Sequence, residues 1–242
     1  MNTANQPQEL NFPVALNRFI SAAGITSRRK SAELIKAGHV TVNKTIIIAP
    51  GSRVAANDQV EVDGKAVLLG KRYYLVLNKP RGYTCTDADP YATYKAIDLI
   101  DLPGVRLFSA GRLDKESEGL IIFSNDGDYV NQLTHPRYGI LKTYELTTDR
   151  PIAIDFLPQL LAGIDDDGER LKAVEFTELA PCIYKVVLNE GKKREIRRMA
   201  TAADCRTEKL VRIAVGKLKL AKLKSGCWRQ LENVERQHSL EN

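Results

Sequence analysis

Short strand-like and helix-like segments follow one another along this 242-residue chain without a regular alternation of strand and helix. Strand patterns, either period-two or continuously apolar, occur at residues 40–43, 59–64, 73–78, 120–124, 142–147, 182–188 and 211–215. Helical spacing of apolar residues occurs at 14–24, 28–38, 129–133 and 193–203. This mixture disfavours a doubly wound parallel sheet and predicts an α+β fold.

The order of these segments predicts two domains. Residues 1–13 are polar and without periodicity, which indicates a flexible tail. Residues 14–66 hold two helices and a few short strands, enough for a small module, and 67–71, with Gly70, predict a linker. The second domain is expected over 72–232, and polar residues 233–242 predict another tail.

Positive charge is concentrated in two separate segments of the chain. Residues 14–44 contain six Lys or Arg against one acid, and residues 190–224 contain twelve against four. The stretch between them has sixteen bases and twenty-one acids. One basic segment is compatible with a solvated lysine face, but two favour a polyanionic partner, because counterion release rewards clustered positive charge.

Several classes of function lack support in the sequence. No apolar run approaches the length of a membrane span, and the polar first residues, 1–9, do not resemble a signal peptide. The four cysteines lie far apart, which excludes a CxxC-based zinc site and favours a reduced, cytoplasmic protein. The three histidines are scattered, and no two glycines stand two residues apart, so we predict no metal and no dinucleotide cofactor.

The helix predicted at 28–38 begins with an unusual first turn. Ser27 is a capping candidate, and Arg28, Arg29 and Lys30 follow it where the helix dipole favours acids. Such a local conflict is expected where function overrides stability. Together with the Arg18 helix, the turn and strand 37–43 and the ending 58–62, this segment resembles the S-four RNA-binding domain, an αL-type module.

The resemblance implies that this module docks on structured RNA through its basic helix face. The residues expected to bind RNA there are Arg18, Arg28, Arg29, Lys30, Lys36 and Lys44.

A glycine-bracketed loop between 111 and 119 precedes the apolar strand at 120–124. Asp114 lies in this loop, where backbone can approach a ligand closely. The residues alone leave two interpretations open, because an aspartate in such a turn also commonly caps backbone amides.

Four ordered motifs resemble the RsuA-type family of ribosomal RNA pseudouridine synthases, whose members also carry an S-four domain. The motifs are NKPRGY at 78–83, GRLDKESEGL at 111–120 with NDG at 125–127, KTY at 142–144 and EGKKREIRRM at 190–199. The resemblance implies a mixed, mostly antiparallel catalytic sheet. It also implies that the chain isomerises a specific uridine in ribosomal RNA without a cofactor, as a cytoplasmic monomer.

Carried over by motif position, Asp114 is the catalytic carboxylate, Tyr144 packs on the target base, and Arg197 is the cation paired with Asp114. The resemblance further implies a set of RNA-binding bases in this domain: Arg112, Lys142, Lys192, Lys193, Arg194 and Arg198.

Two departures from the family pattern bear on activity. Glu195 stands where the third motif usually has Gln, and a negative charge there would raise the pKa of a neighbouring carboxyl unless bases offset it. The loop 135–141 is less polar than its family counterpart. The alternative function is therefore a non-catalytic RNA-binding factor of ribosome assembly that retains the fold. An S-four domain fused to a methyltransferase is disfavoured, because no glycine-rich loop is present.

Overall fold

A computed structural model describes residue 10 and residues 12–85 and 93–242. The helices are α1 (Leu16–Ala22), α2 (Arg28–Lys36), α3 (Gly127–Thr134), α4 (Leu157–Ala162), α5 (Glu195–Ala202) and α6 (Asn233–His238), with 3-10 turns at Ala96–Leu99 and Pro136–Tyr138. The strands are β1 (Val14–Ala15), β2 (Val40–Val42), β3 (Thr45–Ile46), β4 (Arg53–Val54), β5 (Val60–Val62), β6 (Lys65–Ala66), β7 (Tyr74–Lys79), β8 (Phe108–Ala110), β9 (Glu118–Ser124), β10 (Lys142–Thr148), β11 (Ile164–Asp166), β12 (Glu169–Leu171), β13 (Glu175–Ala180), β14 (Ile183–Leu188), β15 (Thr207–Val215), β16 (Leu218–Lys219) and β17 (Trp228–Gln230).

The chain divides into two compact units. The first contains the described residues up to Tyr73 together with 104–106 and 125–127. In it, α1 and α2 contact each other, and β3, β2, β5 and β6 form an antiparallel sheet in that order. Leu16, Ile20 and Ile35 are fully buried in its core. The first turn of α2 is capped as predicted, since Ser27 Oγ accepts a hydrogen bond from Lys30 N at 3.2 Å.

The edges of this first unit differ from the sequence prediction. Val14 and Ala15 pair with Val54 and Arg53 as a short antiparallel ladder, so the first helix starts two residues later than its apolar pattern suggested. Of the predicted tail, residues 1–9 and 11 lie outside the described residues, whereas Leu10 is buried in the core. Val67, expected in the linker, is also buried there, and its N–H donates to Val60 O at 2.9 Å.

The second unit is built on a nine-stranded sheet. Its main order is β13-β14-β10-β15-β9-β7-β17, with β8 pairing with β9 and β16 pairing with β15. All the pairings in this sheet are antiparallel except the one between β9 and β15. The prediction of an α+β chain with a mixed, mostly antiparallel second domain is confirmed.

One glycine permits the parallel contact between β9 and β15. Gly119 pairs with Arg212 and has a φ of +103°. A Cβ at this position would lie 2.3 Å from the Arg212 carbonyl oxygen, closer than any real contact. The absence of a side chain therefore lets the loop 111–117 end directly beside β15.

The carboxyl end of the chain is ordered, so the predicted tail at 233–242 is wrong. Residues Asn233–His238 form α6, which begins with a capping box between Glu232 and Glu235. Ser239 is fully buried, and its Oγ lies 2.7 Å from Tyr129 Oη. The segment shows little apolar periodicity because capping and hydrogen bonds hold it rather than a broad apolar face. No helix in the described part of the chain has the length and apolarity needed to cross a lipid bilayer.

Candidate active site

Asp114 lies in the loop between β8 and β9 in a turn that the backbone itself closes. Ser117 N–H donates to the Asp114 carbonyl oxygen at 3.0 Å, and Gly82 N–H donates to the Lys115 carbonyl oxygen at 2.7 Å. The second bond ties this loop to the turn that follows β7. The Asp114 side chain is 32% exposed, so its carboxylate is held at a surface where a ligand can reach it.

Arg197 approaches Asp114 from the first turns of α5. Its Nε lies 4.0 Å from Asp114 Oδ2, and its Nη2 donates to the buried Ser117 Oγ at 3.3 Å. The side chain is only 12% exposed, and burial lowers the pKa of Arg197 while Glu116 and Asp114 oppose that shift. A distance of 4.0 Å is within ion-pair range but too long for a hydrogen bond. The Asp114 carboxylate therefore faces a fixed cation, but Arg197 Nε does not donate a hydrogen bond to it.

Asp114 lines a cavity of about 480 Å³, and Arg197 contacts two of its lining residues, Asp114 and Ser117. Tyr144, in β10, forms another part of its wall and is 8% exposed. Apolar side chains complete the wall: Leu113, Leu188, Ile196 and Leu210. This volume lies within the usual range for small-ligand pockets, about 300–1,000 Å³. The structure thus brings a carboxylate and an aromatic ring together at one partly apolar cavity, with a guanidinium behind the carboxylate.

The predicted RNA-binding bases occupy two kinds of position. In the first unit Arg28, Arg29, Lys30, Lys36 and Lys44 are exposed, whereas Arg18 is half-buried. In the second unit Arg112 and Lys193 are exposed and line the 480 Å³ cavity.

Other predicted bases are engaged by acids. Lys192 pairs with Glu190 at 2.8 Å, which raises the pKa of Lys192, and Arg194 pairs with Glu116 at 2.8 Å, which lowers the pKa of Glu116. Both remain on the cavity wall. Their positive charge is therefore partly compensated before any ligand arrives.

Arg198 is placed differently from the RNA-binding expectation. Its guanidinium forms ion pairs with Asp166 and Glu169 and also donates to the Asp166 carbonyl oxygen. These acids belong to the hairpin of β11 and β12, and they compensate the arginine charge. The contacts indicate a structural role, in which Arg198 attaches that hairpin to α5.

Glu195, the departure from the family pattern, is buried in the first turn of α5. Its Oε2 accepts a hydrogen bond from Lys192 N at 2.9 Å, which closes the loop before the helix. Burial raises the pKa of Glu195, and the Lys192 backbone bond opposes that shift. The carboxyl thus serves the loop backbone, as an amide oxygen would, and leaves Arg197 facing Asp114.

Two buried cations near the site were missed by sequence reasoning. Lys79 is fully buried at the end of β7, and its Nζ donates to Pro80 O at 3.0 Å and Tyr83 O at 2.8 Å. Arg212 is 3% exposed in β15, directly across from Tyr144 in the sheet. A charged residue inside an otherwise apolar strand pattern, as at 211–215, is the signal that could have revealed Arg212. Among the described residues, no group of three or more His, Cys, Asp or Glu side chains is placed to hold a metal ion.

Comparison with known proteins assigns both units. Residues 73–202 match the family model described as RNA pseudouridylate synthase, and residues 16–60 match the S4 domain model. A crystal structure of a pseudouridylate synthase superposes with a TM-score of 0.69 at 25% identity, covering 93% of this chain and 99% of that chain.

Sequence relatives extend over almost the whole chain. An uncharacterized RNA pseudouridine synthase of Aquifex aeolicus is 36% identical over 230 residues, covering 92% of each chain. The dual-specificity RNA pseudouridine synthase RluF of Salmonella typhi is 34% identical over 223 residues, covering 91% of this chain and 76% of that protein. The chain therefore belongs to the RNA pseudouridine synthases of the RsuA type, enzymes that carry an amino-terminal S4 domain.

Proposed function

We propose that this enzyme isomerises a specific uridine of ribosomal RNA, with Asp114 as the catalytic carboxylate and no cofactor. The observation that carries the proposal is the arrangement of Asp114, Arg197 and Tyr144. The first two lie 4.0 Å apart, and Asp114 and Tyr144 line the same cavity. A carboxylate, a cation and an aromatic ring are the groups that this isomerisation requires.

The reaction breaks the bond from uracil N1 to the sugar C1′, turns the base, and joins C5 to C1′, after which the C5 proton is lost and N1 is protonated. Atoms balance without a second substrate. Positive charge develops on the sugar as the glycosidic bond breaks, as in glycoside cleavage. An ionised Asp114 serves this step by stabilising that charge, by attacking C1′, or by removing a neighbouring proton.

Arg197 supports the ionised form of Asp114. Binding of RNA over the cavity removes water, and a lone carboxylate would then tend to take up a proton. A guanidinium at 4.0 Å opposes that change, and its own position is fixed by burial and by Ser117. We therefore assign Arg197 as the group that keeps Asp114 charged during turnover.

Tyr144 supplies the surface for a base that has left its stack. An extruded base loses its stacking contacts, and an aromatic side chain compensates for part of that loss. The wall of the cavity that includes Tyr144 is mostly apolar, which suits the faces of a pyrimidine ring.

The exposed bases of α2 and the basic segment around α5 support a large RNA as substrate, because they place positive charge in both units. We propose that this RNA is ribosomal and that the enzyme works as a cytoplasmic monomer. Pseudouridine mapping of total RNA from cells with and without the gene tests the substrate. We expect the loss of one or more pseudouridines from ribosomal RNA; an unchanged ribosomal map with losses only in transfer RNA would refute it.

The purified chain tests the role of Asp114. Asp114→Asn keeps the shape of the side chain and removes its charge, so pseudouridine formation should fall below detection. Affinity for the substrate RNA should stay within about threefold. Asp155→Asn, a change at an exposed aspartate outside the cavity, is the matched control and should keep wild-type turnover. Near-normal turnover in Asp114→Asn would exclude this residue as the catalytic carboxylate.

A further inference from the structure

A second, smaller cavity of about 260 Å³ adjoins the one that contains Asp114. The two share Tyr144, Gly111, Arg112 and Lys192 among their lining residues. Tyr144 is therefore part of the wall of both cavities. A group in the smaller cavity lies next to any base that is packed in the larger one.

Positive charge dominates the smaller cavity. Arg112, Lys142, Lys192 and Arg212 line it, and Glu190 is the one carboxylate among the described lining residues. Glu190 is already paired with Lys192 at 2.8 Å. The charges of Arg112, Lys142 and Arg212 consequently face the cavity without an acid of their own within its described wall.

Strand register explains why two of these cations meet. Tyr144 of β10 lies opposite Arg212 of β15, and Lys142 is two residues before Tyr144, on the same face of the strand. Lys142 itself pairs with Val215, and a bulge between the pairs of residues 143 and 144 makes Arg212 its diagonal neighbour, which is still within reach of a long side chain. The sheet thus holds a lysine and an arginine side by side next to the ring of Tyr144.

Lys142 and Arg212 each donate a hydrogen bond to a backbone carbonyl oxygen, and Arg212 also has a buried donor without a partner among the described residues. Lys142 Nζ donates to Ile140 O at 2.6 Å, and Arg212 Nε donates to Leu120 O at 2.7 Å. Arg212 is 3% exposed, and its Nη2 is buried without a hydrogen-bond partner among the described residues. A buried, charged donor without an acceptor is costly, and two like charges in one cavity add to that cost. An anionic ligand removes both penalties.

We propose that the smaller cavity binds a phosphate group of the RNA backbone within one or two nucleotides of the target uridine, through Lys142 and Arg212. This proposal rests on the proposed function, which places the uridine in the cavity of Asp114. Phosphate fits the observations because it is an anion with several acceptor oxygens, and guanidinium groups bind it in a fixed geometry. Its position beside Tyr144 would fix the sugar–phosphate backbone while the base is turned.

A double-mutant cycle between protein and RNA tests the site. The RNA is a fragment that contains the uridine identified by mapping, prepared with each linkage within two nucleotides of it replaced in turn by a neutral methylphosphonate. The protein is the full chain, either wild type or Lys142→Met, which keeps the aliphatic stem and removes the charge. Affinity is measured for all four combinations at each linkage.

At one linkage we expect methylphosphonate to weaken wild-type binding by about tenfold, and Lys142→Met to weaken binding of the unmodified RNA by a similar factor. Affinity of Lys142→Met for the methylphosphonate RNA should be no more than about threefold weaker than with either change alone. The two effects do not add because both changes remove the same interaction. Arg212→Gln should show the same coupling if it folds, as judged by its melting temperature. If it does not fold, the Lys142 cycle decides.

Lys185→Met is the matched control, since this lysine lies in the neighbouring strand β14, pairs with Glu175 and does not line the cavity. It should show no coupling at any linkage. If, at every linkage, the loss of affinity with both changes equals the product of the two separate losses, Lys142 does not contact any of these phosphates and the proposed site is wrong. Pseudouridine formation by the wild type on the unmodified fragment is measured in parallel, so that failure of the proposed function is recognised separately from failure of the phosphate site.

Discussion

At the scale of single residues, the pairing of Asp114 and Arg197 is set by distance. At 4.0 Å the attraction between two unit charges is about 4 kcal/mol at an effective dielectric constant of 20, and less where solvent reaches the partly exposed carboxylate. The guanidinium is instead anchored to Ser117. Arg197 is therefore a fixed positive charge beside Asp114 that does not donate a hydrogen bond to its carboxylate from Nε.

Arg197→Ala should slow single-turnover pseudouridine formation at saturating RNA by at least about a hundredfold, equivalent to about 2.7 kcal/mol. Affinity should change by no more than about threefold, because the residue faces Asp114 rather than the RNA backbone. Arg206→Ala removes an exposed arginine that is paired with Glu208, and it serves as the control. A normal single-turnover rate in Arg197→Ala would show that another group keeps Asp114 charged.

If Lys142 binds RNA as proposed, RNA binding should depend on pH. Burial and the neighbouring charge of Arg212 lower the pKa of Lys142 to about 8. The other charged groups that line its cavity are Arg112, Arg212, Glu190 and Lys192, and the pair with Glu190 raises the pKa of Lys192. Lys142 is thus cationic below pH 8 and becomes neutral as the pH rises through that value.

Affinity for the substrate RNA should accordingly fall between pH 7 and pH 9 in the wild type. In Lys142→Arg the charge persists, so the fall should be largely absent, and any titration of the RNA itself is common to both proteins. Binding measured at constant ionic strength checks this expectation. Equal pH dependence in the two proteins would contradict it.

At the scale of elements, the loop that contains Asp114 depends on the parallel contact between β9 and β15. The loop starts and ends at glycines with positive φ, and at Gly119 the Arg212 backbone fills the space that a Cβ would need. Displacement of β15 would move Arg212 and Tyr144 relative to Asp114. The close approach of the Gly119 backbone to the Arg212 backbone therefore affects the positions of side chains that line both cavities.

Gly119→Ala should lower the free energy of unfolding by at least about 2 kcal/mol, since it combines a strained φ with a backbone clash. Gly139→Ala is the control: Gly139 also has a positive φ, +61°, but open space around its Cβ position. It should cost about 1 kcal/mol. Urea unfolding measures both, and similar losses would show that the close approach contributes nothing beyond φ.

At the scale of the whole molecule, the exposed bases of α2 and the cavity of Asp114 belong to different units. The first unit has exposed bases on α2 and no part in the cavity of Asp114, all of whose described lining residues belong to the second unit. Changes in the first unit should therefore alter how tightly RNA is held and not how fast it is converted once bound.

Replacement of Arg28, Arg29 and Lys30 by alanine should weaken RNA binding and reduce the slope of log affinity against log salt by about 0.7 for each RNA phosphate that is no longer neutralised. Single-turnover conversion at saturating RNA should be unchanged. A variant with Arg28→Lys and Arg29→Lys retains the charge and should keep the wild-type slope. An unaltered slope in the alanine variant would mean that this turn is only a solvated helix end.

The sequence by itself determined the class of fold and the family, while the domain bounds and the site residues that it indicates stay predictions. The fold class and the family could be inferred because they depend on local patterns: strand periodicity, the capping of α2 by Ser27, and ordered motifs around Asp114 and Arg197. The confirmed family rests on the same motifs. The individual roles of Asp114, Tyr144 and Arg197 stay predictions until the variants are measured.

Only the tertiary structure decided which charges face ligand and which face protein. Arg198 is adjacent to Arg197 in sequence, yet it pairs with Asp166 and Glu169, while Arg212 reaches the cavity from a strand that reads as apolar. The buried Ser239 that follows α6 likewise depends on Tyr129, 110 residues earlier in the chain. In each case the partner is distant in the chain, and the energy of a buried charge or polar group depends on that partner, which no local pattern encodes.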